Sequence, residues 1–167
     1  MSDVFIRSAV ASDVPHIFQM IKDLAEYERE PDAVKATQAD LHEALFGNSK
    51  SQVGAPAAYA LVAESETGEI AGFALWFLNF STWLGKHGVY LEDLYVRPEF
   101  RGSGVGKALL SRLAQICTER GYGRLEWWVL DWNSPAIDFY LSKGAVPMDE
   151  WTVYRVTGEA LQQLAEK

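Results

Sequence analysis

The sequence predicts a mixed α/β domain, with a central twisted sheet flanked by helices. Candidate elements follow one another in the order β-α-α-β-β-β-α-β-α-β. Short turns join the strands before a glycine-rich turn, as in antiparallel pairs, whereas a long helix separates the strands after it, as in a parallel crossover. The length of 167 residues and the 49% hydrophobic content fit a single domain over residues 1–167 with a sizeable core.

The first half of the chain predicts two helices between an opening strand and a strand hairpin. Ser12 is a candidate N-cap for the first helix and Thr37 for the second, and Gly47 is a candidate stop. The expected elements are a strand at 4–10, a helix from Val14 to Ala25, a helix between Thr37 and Gly47, a loop at 48–57, strands at 59–64 and 70–78, and a loop at 80–88.

The stretch 90–107 predicts the central strand, a glycine-rich turn and the start of the longest helix. Pro98 cannot donate to a sheet ladder, so the strand should end near it. Glycines let an anion approach the backbone closely, and the unpaired N–H groups of a helix's first turn suit phosphate. With the charges of Arg101 and Lys107, the turn predicts a pyrophosphate site. A tight strand-to-helix turn without a ligand is the alternative.

The last third of the chain predicts shorter elements, separated by Gly121, Gly123 and Gly144. Pro135 suits the first turn of a short helix, and Thr157 is a candidate cap for a terminal helix. The expected elements are a strand at 124–130, a helix at 135–143, a strand at 150–156 and a helix from Thr157 through Leu164.

Composition limits the classes of partner. The formal net charge of −8 argues against nucleic acid and anionic membranes as main partners and favours small cationic molecules. The lone cysteine, Cys117, allows no internal disulfide and is expected to pack in the core. The three histidines are widely spaced, so no metal site is expected. Without a signal peptide or membrane-spanning run, a cytoplasmic location is expected.

Several strings resemble a known family. The run Arg101-x-x-Gly104-x-Gly106, between a strand and a helix, resembles the acetyl-CoA loop of the GNAT superfamily of N-acetyltransferases. Other strings are similar to its spermidine/spermine (diamine) acetyltransferase branch, which includes thialysine acetyltransferases. They are Ile-Arg at 6–7, Ile-Lys-Asp-Leu-Ala-Glu-Tyr-Glu at 21–28, Gly-Phe-Ala at 72–74, Trp-Leu-Gly-Lys at 83–86, Tyr-Leu-Glu-Asp-Leu-Tyr-Val at 90–96 and Trp-Asn-Ser-Pro-Ala-Ile-Asp-Phe-Tyr at 132–140.

The resemblance implies a GNAT fold, acetyl-CoA as co-substrate and no metal. It implies that Tyr140 is the catalytic general acid, although a core aromatic is the alternative, and that Asn133 contacts the coenzyme arm, although a helix N-cap is the alternative. The main chain of the central strand would bind the pantetheine arm. The implied acetyl-CoA residues are Leu94, Tyr95, Val96, Arg101, Gly102, Ser103, Gly104, Val105, Gly106, Lys107, Asn133 and Tyr140.

The resemblance also implies that Glu92 lies near the substrate amine. Glu92 and Asp93 are adjacent, so in a regular strand their side chains point to opposite faces and only one faces the pocket. A structural ion pair is the alternative for these carboxylates. Tyr27, Glu28 and Trp83 are the other implied substrate residues. A solvated helix end is the alternative for Tyr27 and Glu28.

The expected reaction is acetyl transfer from acetyl-CoA to a primary amine of a small polyamine or diamine by direct attack. Glu92 would be the base, directly or through a water, and Tyr140 the acid. One alternative is a lysine-like substrate such as thialysine, with Lys86 or Arg29 binding its carboxylate. Another is a non-catalytic acyl-CoA-binding regulatory module.

The resemblance implies a homodimer as well. Trp151 and Tyr154 would then serve the interface, and the alternative for both is the core.

Overall fold

The computed structural model describes residues 4–47 and 55–166. They form two compact units, one ending at Trp128 and the other beginning at Val129. Most of the predicted loop at 48–57 lies outside the described residues.

The first unit contains one mixed sheet of five strands, which confirms the predicted α/β class. The strands lie side by side in chain order, and β1 to β4 are antiparallel to their neighbours. The last strand runs parallel to β4, as the long intervening helix predicts. The strands are β1 Val4–Ser8, β2 Tyr59–Ser65, β3 Ile70–Ser81, β4 Lys86–Val96 and β5 Leu125–Glu126.

Helices cover both faces of this sheet. They are α1 Val14–Tyr27, α2 Gln38–Phe46 and α3 Val105–Arg120, and the second unit contains α4 Ser134–Leu141 and α5 Gly158–Ala165. The apolar sides of α1 and α2 form one core with Ala60 and Leu75 of the sheet. Ile116 of α3 instead shares a cavity with Leu61 and Trp76, the next residues along those strands. Successive strand residues point to opposite faces, so α3 covers the other side.

The caps predicted for the first two helices have different outcomes. Thr37 caps α2 as predicted, because its hydroxyl accepts from the N–H of Asp40 at 3.2 Å and its own N–H donates to the Asp40 carboxylate at 2.9 Å. The prediction that Ser12 caps the first helix is wrong, since residues 11–13 form a short 3-10 turn. Asp13 stabilises this turn by accepting from the N–H of Val10 at 2.8 Å.

Some predicted strand limits are wrong. The predicted loop at 80–88 is a tight hairpin, because β3 continues to Ser81 and β4 already begins at Lys86. The predicted strand at 124–130 is reduced to the two residues of β5. The expected strand at 150–156 has no helix or strand structure. Its apolar pattern favours a strand, but strand pairing needs a neighbouring edge, and these residues pair with no strand of the described chain.

Burial decides two other predictions. Cys117 is buried on α3, as expected for core packing, and burial raises the pKa of its thiol. Trp151 and Tyr154 are 66% and 91% exposed, so the core alternative for them is wrong.

The described part of the chain lacks two further features. No helix in the described part of the chain is both long and apolar enough to cross a bilayer. Among residues 4–47 and 55–166, no three His, Cys, Asp or Glu side chains are grouped as metal ligands.

Candidate functional site

The centre of β4 contains a β-bulge at Glu92. Asp93 pairs with Leu75, and Leu91 pairs with Trp76, the next residue of β3, so Glu92 is the extra residue on β4. The expectation that Glu92 and Asp93 point to opposite faces assumed a regular strand, and this premise is wrong. Bulges re-aim side chains, and this one places two adjacent carboxylates where the ladder is interrupted.

Three carboxylates form an acidic group at this bulge: Glu92, Asp93 and Glu28, the last at the C-terminal end of α1. Burial raises the pKa of Asp93 to about 7, and the charges of Glu92 and Glu28 add to the effect. Burial also raises the pKa of Glu28. Glu92 itself is exposed. Near neutral pH the group can therefore accept a proton, and a bound cation would lower the free energy of its ionised form.

The guanidinium of Arg101 lies over the rings of Tyr27 and Tyr95. Its Nε donates to the carbonyl of Val96 at 2.9 Å. Its guanidinium lies 5.5 Å from the ring centroid of Tyr27 and 5.4 Å from that of Tyr95. The side chain thus connects the end of α1 to the end of β4. It also occupies the Val96 carbonyl, one of the main-chain groups expected to hold the pantetheine arm.

The glycine turn has the backbone that the sequence predicts for an anion site. Gly102 and Gly104 have φ values of 76° and 91°, in the region that side chains disfavour. A Cβ at either position would meet no atom within 4 Å, so these glycines serve backbone conformation and leave the surface open. Gly104 is the N-cap of α3, whose first-turn N–H groups have no acceptor within the helix.

The other residues expected at the turn differ in what they can offer a ligand. The side chain of Val105 is 1% exposed, so it can contact a ligand only through its main chain. Ser103 donates its hydroxyl to the carbonyl of Phe100 at 2.6 Å, which stabilises the turn. Gly106 and Lys107 lie in the first turn of α3, and Lys107 is exposed. A positive charge at this end of the helix suits a phosphate.

The pairing of β4 with its parallel neighbour ends at Tyr90. The ladder between β4 and β5 has two pairs, Val89 with Leu125 and Tyr90 with Glu126. From Leu91 to Val96, this edge of β4 pairs with no strand of the described chain. Free main-chain groups along an edge fit the amide-containing arm of acetyl-CoA. The edge, the glycine turn and the start of α3 together fit that ligand.

The second unit holds the two remaining predicted residues. Asn133 is buried and is the N-cap of α4, where its Oδ1 accepts from the N–H of Ala136 at 3.4 Å. The alternative interpretation of Asn133 as a cap is therefore correct, and a coenzyme contact stays a prediction. Tyr140 lies in the last turn of α4 and its ring packs 5.4 Å from Phe139.

Trp83 and Lys86 lie at the other end of β4 from the acidic group. Trp83 is in the β3–β4 turn and is 86% exposed, and Lys86 begins β4. Seven residues of strand separate Lys86 from Asp93, which is about 23 Å. A lysine-like molecule is much shorter than this distance. The first unit therefore does not bring these two residues together with the carboxylates.

Arg29, the other expected carboxylate ligand, directly follows Glu28. Its φ of 66° makes it the one described non-glycine residue in the left-handed region. The conformation ends α1, because the N–H of Glu30 then donates to the carbonyl of Ala25 at 2.8 Å. Glycine is the usual residue at such a position, so an arginine here costs conformational free energy.

Sequence reasoning missed the role of Asp93. Its position beside Glu92 gave the only signal, and that signal does not distinguish a buried carboxylate from an exposed one. The burial depends on the bulge and on the end of α1, which are both tertiary features.

Comparisons with known proteins show the family of the chain. Residues 17–145 match the acetyltransferase (GNAT) family. The chain is 38% identical over 177 residues to a thialysine N-epsilon-acetyltransferase of Bos taurus, covering 100% of both proteins. It is 35% identical over 169 residues to a human spermidine/spermine N(1)-acetyltransferase-like protein 1, covering 96% of this chain and 23% of that protein.

A solved structure supports the fold. It is an integron cassette protein from the mobile metagenome of V. cholerae, with a TM-score of 0.78 and 27% identity, covering 100% of this chain and 99% of that one.

Proposed function

Because the chain belongs to the GNAT acetyltransferase family, and is itself an acetyltransferase, we propose that its acceptor is the terminal primary amine of a small cationic molecule. The observation that carries this proposal is the acidic group of Glu28, Glu92 and Asp93. An alkylamine has a pKa near 10.4, so it is almost wholly protonated at neutral pH. Carboxylates at the site attract this cation and can then accept its proton.

We propose that Asp93 holds the cation and that Glu92 accepts its proton. Arrival of the ammonium favours the ionised form of Asp93, which holds the cation. Glu92, exposed at the bulge, is the base and takes the proton directly or through a water. The freed amine nitrogen then attacks the acyl carbon, an N–C bond forms and the C–S bond breaks. No covalent enzyme intermediate is needed, so Cys117 takes no part.

The family uses acetyl-CoA as its co-substrate, and this molecule supplies the acetyl group as an activated thioester. The N–H groups of the glycine turn and the side chain of Lys107 would hold its phosphates. The open edge of β4 would orient its arm, with Asn133 as a further contact. Tyr140 would hold a proton at its phenol oxygen for the departing sulfur.

For the acceptor, we propose a lysine-like amino acid such as thialysine. Arg29 directly follows Glu28, so the sequence places a positive charge next to a member of the acidic group, and we propose that Arg29 binds the substrate carboxylate. The Bos taurus relative, matched over its whole length, is named for thialysine. The second candidate is a polyamine, which three carboxylates and a net charge of −8 also favour.

The test is thiol release from acetyl-CoA with matched pairs of amines. Lysine is compared with cadaverine, and thialysine with its decarboxylated diamine, because each pair differs only in the carboxylate. Spermidine, spermine and putrescine complete the panel. We expect the amino acid of each pair to be used more efficiently, and Arg29→Gln to abolish this preference. Faster use of the diamines and spermidine would instead support the polyamine candidate.

The roles of the two adjacent carboxylates need separate variants. We expect Asp93→Asn to raise the KM for the amine, and Glu92→Gln to lower kcat and alter its pH profile. An unchanged KM and pH profile in both variants would contradict the acidic group as the amine site.

The homodimer and the cytoplasmic location stay predictions. Light scattering on the purified chain measures the first, and a mass of one chain would contradict it.

A further inference from the structure

One cavity contains no residue of the acidic group or of the glycine turn. Its volume is about 340 Å³, which is within the range of small-molecule sites. Its walls come from β1, β2, β3, the end of α2 and the C-terminal half of α3. The lining residues include Ile6, Leu45, Phe46, Tyr59, Leu61, Trp76 and Ile116, together with three arginines. It shares no residue with the proposed acetyl-transfer site.

The charge of this cavity is opposite to that of the protein. Arg7, Arg112 and Arg120 line it, and no acidic residue does, although the chain carries a net charge of −8. Arg7 is held by Asp13 and Glu64, so its charge is already balanced. Arg112 pairs with Glu119 at 2.9 Å. Arg120, exposed in the last turn of α3, has no hydrogen bond or ion pair to any residue that the structure describes.

A buried donor in the cavity wall also lacks a partner. Trp76 is 3% exposed, and its indole N–H has no acceptor among the described residues. Leaving a buried donor unpaired costs about 1–3 kcal/mol. The ring of Tyr59 stacks on Trp76 with 4.6 Å between centroids, which provides a flat aromatic wall. The cavity therefore offers apolar and aromatic walls beside the Arg120 side chain, which has no partner among the described residues.

We propose that this cavity binds a small organic anion with a flat apolar body, of the aromatic carboxylate class. The carboxylate would accept from the guanidinium of Arg120. The ring would lie among Tyr59, Leu61 and Ile116. Arg120 is a cationic hydrogen-bond donor beside apolar walls, so an anionic acceptor with an apolar body complements the cavity.

Calorimetric titration of the full chain with indole-3-acetate tests this proposal. We expect a Kd below about 1 mM, unchanged by saturating CoA, and much weaker binding of indole-3-ethanol, which has the same ring without the charge. Arg120→Gln should weaken the binding of indole-3-acetate by about tenfold or more. The control, Lys35→Gln, removes one exposed positive charge elsewhere and should bind like the wild type.

A spectroscopic measurement identifies the site independently. The indole N–H signal of Trp76 in a ¹⁵N-correlated NMR spectrum, assigned as the one that Trp76→Phe removes, should shift when indole-3-acetate binds. The proposal is overturned if the wild type does not bind, if CoA displaces the probe, if indole-3-ethanol binds equally well, or if Arg120→Gln binds as tightly as Lys35→Gln. A change confined to the N–H signals of other tryptophans would also overturn the proposal.

Discussion

Replacing Asp93 by asparagine should stabilise the protein while impairing its use of the amine. The pKa of this carboxyl rises from an ordinary 3.8 to about 7 on folding. The folded chain therefore binds its proton more tightly than the unfolded chain. The resulting stability is present below pH 3.8 and is lost as pH rises through about 7. Asparagine has nearly the same shape and does not ionise, so the variant does not lose this stability as pH rises.

The size of the effect follows from the two pKa values. They differ by about three pH units, and each unit corresponds to about 1.36 kcal/mol. At pH 8 the Asp93→Asn variant should therefore be more stable than the wild type by as much as about 4 kcal/mol. At pH 4 the two proteins should be nearly equal, because the wild-type carboxyl is then largely protonated in the folded state.

Urea unfolding of both proteins between pH 4 and pH 9 measures this difference. Groups that titrate in both proteins cancel in the comparison, so the pH dependence of the difference belongs to Asp93. Asp149→Asn makes the same chemical change at an exposed residue and should leave the wild-type profile unaltered. A difference that does not grow with pH, or an Asp93→Asn protein that is less stable at pH 8, would refute the reasoning.

Three further predictions concern single residues. Tyr140→Phe should lower kcat by about 10²–10⁴-fold with the Kd of acetyl-CoA unchanged, since a proton donor is lost; wild-type turnover in steady-state assays would remove this residue from the mechanism. Arg29→Gly should raise the free energy of unfolding by about 1 kcal/mol, because glycine tolerates the left-handed backbone; a lower free energy of unfolding, measured with urea, would contradict this. Gly104→Ala should cost about 1–2 kcal/mol at its φ of 91° and weaken acetyl-CoA in calorimetry; Gly106→Ala, inside the helix, is the control, and equal stability of the two variants would argue against strain.

The sequence predicted the features that depend on local chemistry. Thr37 caps α2 because Asp40 follows it at the spacing of a capping box, and both residues are read directly from the chain. The glycine turn follows in the same way, since two of its residues need a backbone that other side chains disfavour. The order of the elements through α4 also follows, because the apolar periods of the longer elements extend over many residues.

Features that depend on distant parts of the chain were not predictable. The bulge at Glu92 comes from how β4 pairs with β3, and an alternating pattern on one strand does not reveal an extra residue. The direction of Arg101 depends on two aromatic rings, one from the end of α1 and one from β4. The missing strand at 150–156 has suitable residues, but strand pairing also depends on a neighbouring edge, which the local sequence does not specify.

Because of the bulge, the side chains on either side of Glu92 would keep their faces of the sheet if Glu92 were removed. Leu91 shares the face of its partner Trp76, and Asp93 shares the face of its partner Leu75, so the two already alternate as direct neighbours would. Removing the codon for Glu92 would close the ladder without shifting any other pair. A lineage could therefore gain or lose this carboxylate by a three-nucleotide insertion or deletion, with the remaining side chains still facing the sides they face now.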